Sequence, residues 1–349
     1  MAKYSNVKKP AFFIPFMDYA QSIGSVVYQD NELNDIHLLN PAKTHRITPE
    51  EDNWWETGEI RYDINFNSSI SYQTISDSDG YIYIFILGHN LNTADCSIEI
   101  RLEEILDPNL SISAGTIERE KIVNDLGDNS APEYNGFSII KAKYNISNVS
   151  GIRIIIKGHS VASNNEIKIG SISLCSKWNP PHNPDLSLKM SRQFDGVHTT
   201  RTKGGATLSD TSYTRGGTLW GDSHAWDLID TDSDYAESFS RTLGRRIWNM
   251  NFSYLTPTNL MPEFESLDYY ETEYNDNLDK SIQTSQSFFA RVLNRVQGSH
   301  LPFIFLPNDT DPNYNPDQWA ICRFDQNDFS ITQAAPELYS LSMKLTESW

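Results

Sequence analysis

The sequence predicts a mainly β protein: a jelly-roll-like β-sandwich followed by a second β-sandwich that carries one packed α-helix. Three observations predict it. Residues 245–254 alternate, with Trp248, Met250, Phe252 and Tyr254 on one face and Asn249, Asn251 and Ser253 on the other. Residues 339–349 repeat the pattern, with Tyr339, Leu341, Met343 and Leu345 against Ser340, Ser342, Lys344 and Thr346. Between them, residues 281–297 space Phe288, Phe289, Val292, Leu293 and Val296 along one helical stripe that stops at Gly298. A period of two buries one face of a strand, and a period of 3.6 buries one side of a helix.

Along the chain, residues 1–28 form an N-terminal arm. Its apolar run (Phe12, Phe13, Ile14, Phe16) leads into a turn of helix ending on Gly24, and it either closes its own core or docks on a neighbour. Residues 29–178 are all-β in character. Strands are expected at 58–66, 69–75, 81–87, 96–102, 137–144, 151–158 and 166–174, separated by polar turns at 76–80 and 88–92, with a surface loop at 124–136. Seven or so short strands of this kind imply a jelly roll or a related sandwich. Residues 179–184 contain Pro180, Pro181 and Pro184 and form a stiff linker.

The second domain, 185–349, opens with an expected strand at 185–194 that sets Leu186, Leu188, Met190 and Phe194 on one side. Residues 196–221 follow, rich in Thr and Ser, with turns at Gly204-Gly205 and Gly216-Gly217. Strand faces that are polar on both sides suit an arm that pairs with another chain rather than one that covers its own core. Further strands are expected at 238–255, 301–305, 318–324 and 328–333, and the acidic stretch 262–279 reads as a loop or lid.

Composition limits the function. The formal net charge is −18, which argues against nucleic-acid or anionic-membrane binding as the main activity. An acidic surface could line a channel past which DNA slides; solubility is the plainer reading. Cys96, Cys175 and Cys322 are too widely spaced for a disulfide framework or a zinc site and are expected as buried thiols of a chain folded in a reducing cytoplasm. The opening residues lack the pattern of a signal peptide, and the longest apolar run, 81–87, is far below the ~20 residues of a membrane helix.

No phosphate-binding loop, nucleophile elbow, zinc-protease or dinucleotide motif is present, so no catalytic residue, metal or cofactor is expected. Two groups of residues are candidates for binding. Trp54 and Trp55 could stack against a sugar ring or anchor the entrance to the first strand. Arg241, Arg245 and Arg246, with Thr199, Arg201, Lys203, Tyr213 and Arg215 of the Thr-rich excursion, are candidate inter-subunit contacts. Guanidinium groups suit salt bridges between subunits, and Glu263, Glu265, Glu271 and Glu273 could receive them; a solvated surface is the plainer alternative.

Several passages resemble structural proteins of the tails of tailed bacteriophages. Tyr81-Ile-Tyr-Ile-Phe-Ile-Leu-Gly-His-Asn-Leu91, then Cys96-Ser-Ile-Glu-Ile, looks like part of a galactose-binding-like jelly roll of phage virion proteins, which Glu166-Ile-Lys-Ile-Gly-Ser-Ile-Ser-Leu174 would close. The order of residues 239–255, a helix, Leu301-Pro-Phe-Ile-Phe-Leu-Pro, Trp319-Ala-Ile-Cys-Arg-Phe and a final strand is similar to the tail-tube-like sandwich of distal tail and minor tail proteins. The usual distal tail protein places those two domains in the opposite order. The resemblance implies a non-enzymatic virion component that forms a homo-oligomeric ring, sixfold by that kinship, at the tail tip or baseplate. Tube, hub and fibre proteins would be its partners, and DNA would pass through the ring without specific binding. A host-glycan-binding tail protein is the alternative, and a glycan-degrading enzyme a more remote one.

Overall fold

A computed structural model of the chain describes residues 7–22, 24, 26–28, 35–47, 59–105, 112–114, 116–124, 131–158, 166–194, 197–211, 219–221, 223–229, 244–262, 282, 285–310 and 318–348. The first strands are β1 (Ala11–Pro15), β2 (Val26–Tyr28), β3 (His45–Ile47), β4 (Glu59–Ser71), β5 (Ile82–His89), β6 (Cys96–Ile105) and β7 (Ile112–Ala114). They are followed by β8 (Thr116–Val123), β9 (Gly136–Tyr144), β10 (Asn148–Gly158), β11 (Ile167–Ile169), β12 (Ser171–Trp178), β13 (Lys189–Gln193), β14 (Val197–Arg201) and β15 (Thr207–Thr211). The last are β16 (Leu219–Trp220), β17 (Ser223–His224), β18 (Arg245–Leu255), β19 (Phe303–Leu306), β20 (Ala320–Phe324), β21 (Ile331–Ala335) and β22 (Leu338–Glu347). The protein is mainly β, with large antiparallel sheets and few helices, consistent with the β-sandwich class.

One sheet runs through both halves of the sequence, in the order β13-β18-β22-β20-β19-β1-β12-β5-β9-β8, with β21 paired to β22. Strand β1 is the seam. Phe12 sits opposite Trp178 of β12 on one side and Phe305 of β19 on the other. The apolar arm therefore closes the chain's own core, and the halves are joined by a shared sheet as well as by the Pro-rich connector. That connector is itself pinned to the arm, since the Asn179 amide donates to the Pro10 carbonyl and the Lys9 N–H donates to Asn183.

Alternation along this sheet sends its side chains to two faces. On the first face, Ile84, Ile86, Ile140 and Leu174 meet a five-stranded sheet, β2-β4-β10-β6-β7, which contributes Ile64, Ile98, Ile100, Ile152 and Ile154. Farther along the same face, Phe12, Phe252, Phe303, Phe324 and Leu345 are covered by the helical segment Phe288–Val296. Each such side chain contributes about 1.5–3 kcal/mol on burial. On the opposite face, Phe13, Phe85, Phe137 and Ile304 lie under Trp220 and Trp226. A bridge between Asn135 and Ile229 holds that covering segment down.

Four expectations are corrected. The helix starts at Phe288, with residues 285–287 non-helical, because the Ser287 hydroxyl accepts the Ala290 N–H as a cap. It is a π-helical stretch, Phe289–Leu293, running into one α-turn, Asn294–Val296. Strands expected at 58–66 and 69–75 are a single strand, β4, followed by a helical turn, Tyr72–Ile75. Tyr254 leaves the buried face and is exposed: the register shifts between Phe252 and Leu255, Tyr254 takes a φ of 61°, and Leu255 is buried instead. Finally, the strand expected at 185–194 forms only over Lys189–Gln193, and of its apolar row Leu188 packs against the core while Leu186, Met190 and Phe194 are exposed. All three cysteines are free and buried, as expected. No helix among the described residues is long and apolar enough to cross a membrane.

Candidate assembly surface

The Thr-rich excursion folds as a hairpin. Val197 pairs with Thr211 and Arg201 with Thr207, so the register places Val197, Thr199, Arg201, Thr207 and Ser209 on one face and His198, Thr200, Leu208 and Asp210 on the other. The turn is closed by the Thr202 N–H to the Ala206 carbonyl at 2.8 Å and by Gly205 N–H to the Thr202 carbonyl at 3.0 Å. The Ala206 N–H also donates to the Thr202 hydroxyl. Gly205 supplies the positive φ, 85°, that this tight turn requires. Strands β14 and β15 form a two-stranded sheet of their own, and Val197 to Arg201 are exposed throughout. Neither face is apolar enough to bury. What the hairpin offers a partner is main-chain hydrogen-bonding capacity along its edges.

Next to it in sequence, β13 ends the large sheet, pairing only with β18 among the described residues, and all five of its residues are exposed. The opposite end of the sheet is different. Strand β8 is interrupted by two register shifts and carries Glu118, Arg119, Glu120 and Lys121, the devices that protect an edge from unwanted pairing. Strand β13 has no register shift, although it carries Lys189 and Arg192, and its neighbourhood exposes Met190 (47%) and Phe194 (58%).

The candidate arginines divide. Arg246 is committed inside the chain: its Nη2 donates to Glu347 Oε1 at 2.7 Å and its Nε to Oε2 at 3.0 Å, while Nη2 also reaches the Trp319 carbonyl. This half-buried bidentate pair ties the start of β18 to the end of β22. Arg245, on the opposite face, is half-buried in the β18 position paired with Gln193. Thr199, Arg201 and Lys203 stand exposed on the hairpin and its turn. Trp54, Trp55, Tyr213, Arg215 and Arg241, with Glu263, Glu265, Glu271 and Glu273, lie outside the described residues. Sequence reasoning passed over Arg192, which faces Arg246 across the β13–β18 pairing. The apolar-basic-apolar spacing of Met190, Arg192 and Phe194 was the signal that could have found it.

Two other places gather polar groups. Burial lowers the His89 pKa to about 3, so its imidazole is neutral; Nδ1 accepts the Leu91 N–H and Nε2 donates to Ser138 Oγ at 3.0 Å. The Ser138 proton goes to the Asn124 carbonyl. The proton flow runs away from the imidazole, the reverse of what an activated serine needs. A cleft of about 560 Å³ beside Asp77, Lys143 and Asn145 is polar, and Asp77 Oδ1 is held by the N–H groups of Asp79 and Tyr81. No three His, Cys, Asp or Glu side chains gather to hold a metal among the described residues.

Neither a family model, nor a curated protein, nor a solved structure matches this chain.

Proposed function

We propose that this protein is a structural component of a tailed-phage virion, which assembles as a homo-oligomeric ring at the tail tip through its projecting β-hairpin. The observation that carries this reading is the hairpin β14–β15, a two-stranded ribbon that has no third strand and no apolar face to cover among the described residues. An isolated hairpin of this kind is marginal in water, and a third strand from another chain completes it. The passages at 81–100 and 239–349 that resemble tail proteins supply the context. The half of the chain that contains the five-stranded sheet would then sit outside the ring, towards fibre and hub proteins, and DNA would pass an acidic lumen without binding.

Deleting residues 199–214 tests the reading. The variant is expected to remain folded, because none of the hairpin's described residues belongs to the three apolar clusters, and to lose ring assembly in native mass spectra. A deletion variant that still closes into rings would remove the hairpin from the mechanism.

A further inference from the structure

The polar cleft of about 560 Å³ has walls from both halves of the sequence: the loop between the helical turn Tyr72–Ile75 and β5, the β9–β10 turn, and Gln286 just before the helical segment. Its frame is held by hydrogen bonds within the chain. The Asp77 N–H donates to the Tyr81 carbonyl at 2.9 Å, the Gly80 N–H to the Asp77 carbonyl at 3.1 Å, and the Tyr72 hydroxyl to the Gly80 carbonyl at 2.8 Å. The facing walls are tied as well, since Arg291 donates to the Gln73 and Thr74 carbonyls at 2.7 Å and the Trp178 indole to the Gln286 carbonyl at 2.9 Å. In this frame the Asp77 carboxylate is only half used. Oδ1 accepts the N–H groups of Asp79 and Tyr81, and no described residue donates to Oδ2. Burial raises the Asp77 pKa against those two donors, so a further donor on Oδ2 would favour the ionised form. Lys143 lines the same cleft; its Nζ spends one N–H on the Asp79 carbonyl, of the three an ammonium carries. The Asn145 and Gln286 amides, both on exposed residues, complete the polar lining.

That lining selects among ligands. An apolar molecule would strand the carboxylate and the amides without partners, and an anion would meet Asp77 and Asp79. A metal ion would face the Lys143 ammonium, and no three acidic, thiol or imidazole side chains gather to hold it among the described residues. Two neighbouring hydroxyls suit the site: one O–H donates to Asp77 Oδ2, and the oxygen of the next accepts from Lys143 or Asn145. We propose that this cleft binds a neutral sugar through a pair of vicinal hydroxyls, with Asp77 as the acceptor that fixes its orientation. The volume lies within the ~300–1,000 Å³ of small-molecule sites. This site is separate in sequence from Trp54 and Trp55, and it does not depend on ring assembly.

The test uses the full chain and saturation-transfer NMR of D-glucose, D-galactose and D-mannose, each titrated to ~10 mM, just beyond the weak end of specific recognition. At least one hexose is expected to bind with a millimolar Kd. Asp77→Asn keeps an oxygen for the Asp79 and Tyr81 N–H groups but loses the charge, and it should weaken binding about tenfold or more. Its melting curve reports whether the loop still folds. Asn145→Ala changes only an exposed turn residue and should weaken binding without moving the melting curve. The double variant Trp54→Ala/Trp55→Ala should bind as the unaltered chain does. No binding of any of the three hexoses would overturn the proposal, as would binding unchanged in Asp77→Asn and Asn145→Ala. Binding removed by the double tryptophan variant would place the sugar elsewhere and overturn it too. So would binding that EDTA abolishes and calcium restores, since a bound cation would then be the anchor. Each outcome is read on the single chain, whether or not the hairpin builds a ring.

Discussion

Asp18 lies buried just after the seam strand, in the helical segment Phe16–Ser22, and both of its carboxylate oxygens share one donor, the Leu39 N–H, at 3.2 Å. Burial raises its pKa from 3.8 to about 7, against the opposing pull of the Leu39 N–H and the Arg323 charge. A folded pKa above the unfolded one means that the folded state binds the extra proton between those values. Stability is therefore lost as pH rises from 3.8 to about 7, at 1.36 kcal/mol per pH unit, or about 4 kcal/mol in all. Asp18→Asn keeps the shape and an acceptor for Leu39 without the charge. In urea titrations it should gain on the native chain as pH rises from 5 to 7, then hold a constant lead of about 4 kcal/mol above pH 7.5. A poorly housed amide N–H₂ would add only an offset independent of pH, so the slope carries the test. A stability difference that stays flat between pH 5 and 7.5 would refute the reasoning.

Other perturbations follow from the same structure. His37 and His89 are buried with pKa values lowered to about 4 and about 3, so each contributes stability that is lost as pH falls below 6.5. In the native chain Asp18 partly offsets that loss, and Asp18→Asn should show a steeper acid limb in the same titrations. Gly136 adopts a φ of 116°, and a Cβ there would stand 2.0 Å from the Asp227 carbonyl oxygen. Gly136→Ala should destabilise by ~2 kcal/mol or more and loosen the Trp220–Trp226 cover, read as a shift of tryptophan fluorescence below the melting transition. Phe12→Ala opens a cavity between Trp178, Phe303 and Phe305, at a cost of about 3–5 kcal/mol. Since β1 joins both halves of the sheet, calorimetry of that variant should show one transition moved down as a whole; two separated transitions would contradict the shared sheet.

The strands with strict alternation were legible in the sequence, because burial on one face leaves a period of two wherever water covers the other. That holds for β18 up to Phe252 and for β22 from Tyr339 to Leu345. What the sequence hid was long-range. Ala11 to Ile14 is apolar at every position, which fits a strand buried on both faces as well as an arm laid on a neighbour; only its pairing with β12 and β19 decides. The turn at Tyr254 was hidden for a local reason, because a bulge flips a side chain without changing residue type. The row Leu186, Met190 and Phe194 showed the opposite failure: apolar spacing says that a face wants cover, not whether this chain supplies it. The hairpin around Gly204-Gly205 was readable because its turn chemistry is local and the flanking residues pair directly across it. Arg246 looked like a free cation for a neighbour because its partner, Glu347, lies 101 residues away at the other end of the domain.

The central proposal is that this chain builds a closed ring through its β14–β15 hairpin. The most direct measurement is the mass distribution of the purified full chain at micromolar concentration, with negative-stain images of the same sample. Closed rings with a central hole, at a single multiple of the 39.8 kDa chain, are the predicted result. A clean monomer at every concentration, unaffected by deleting residues 199–214, would contradict it.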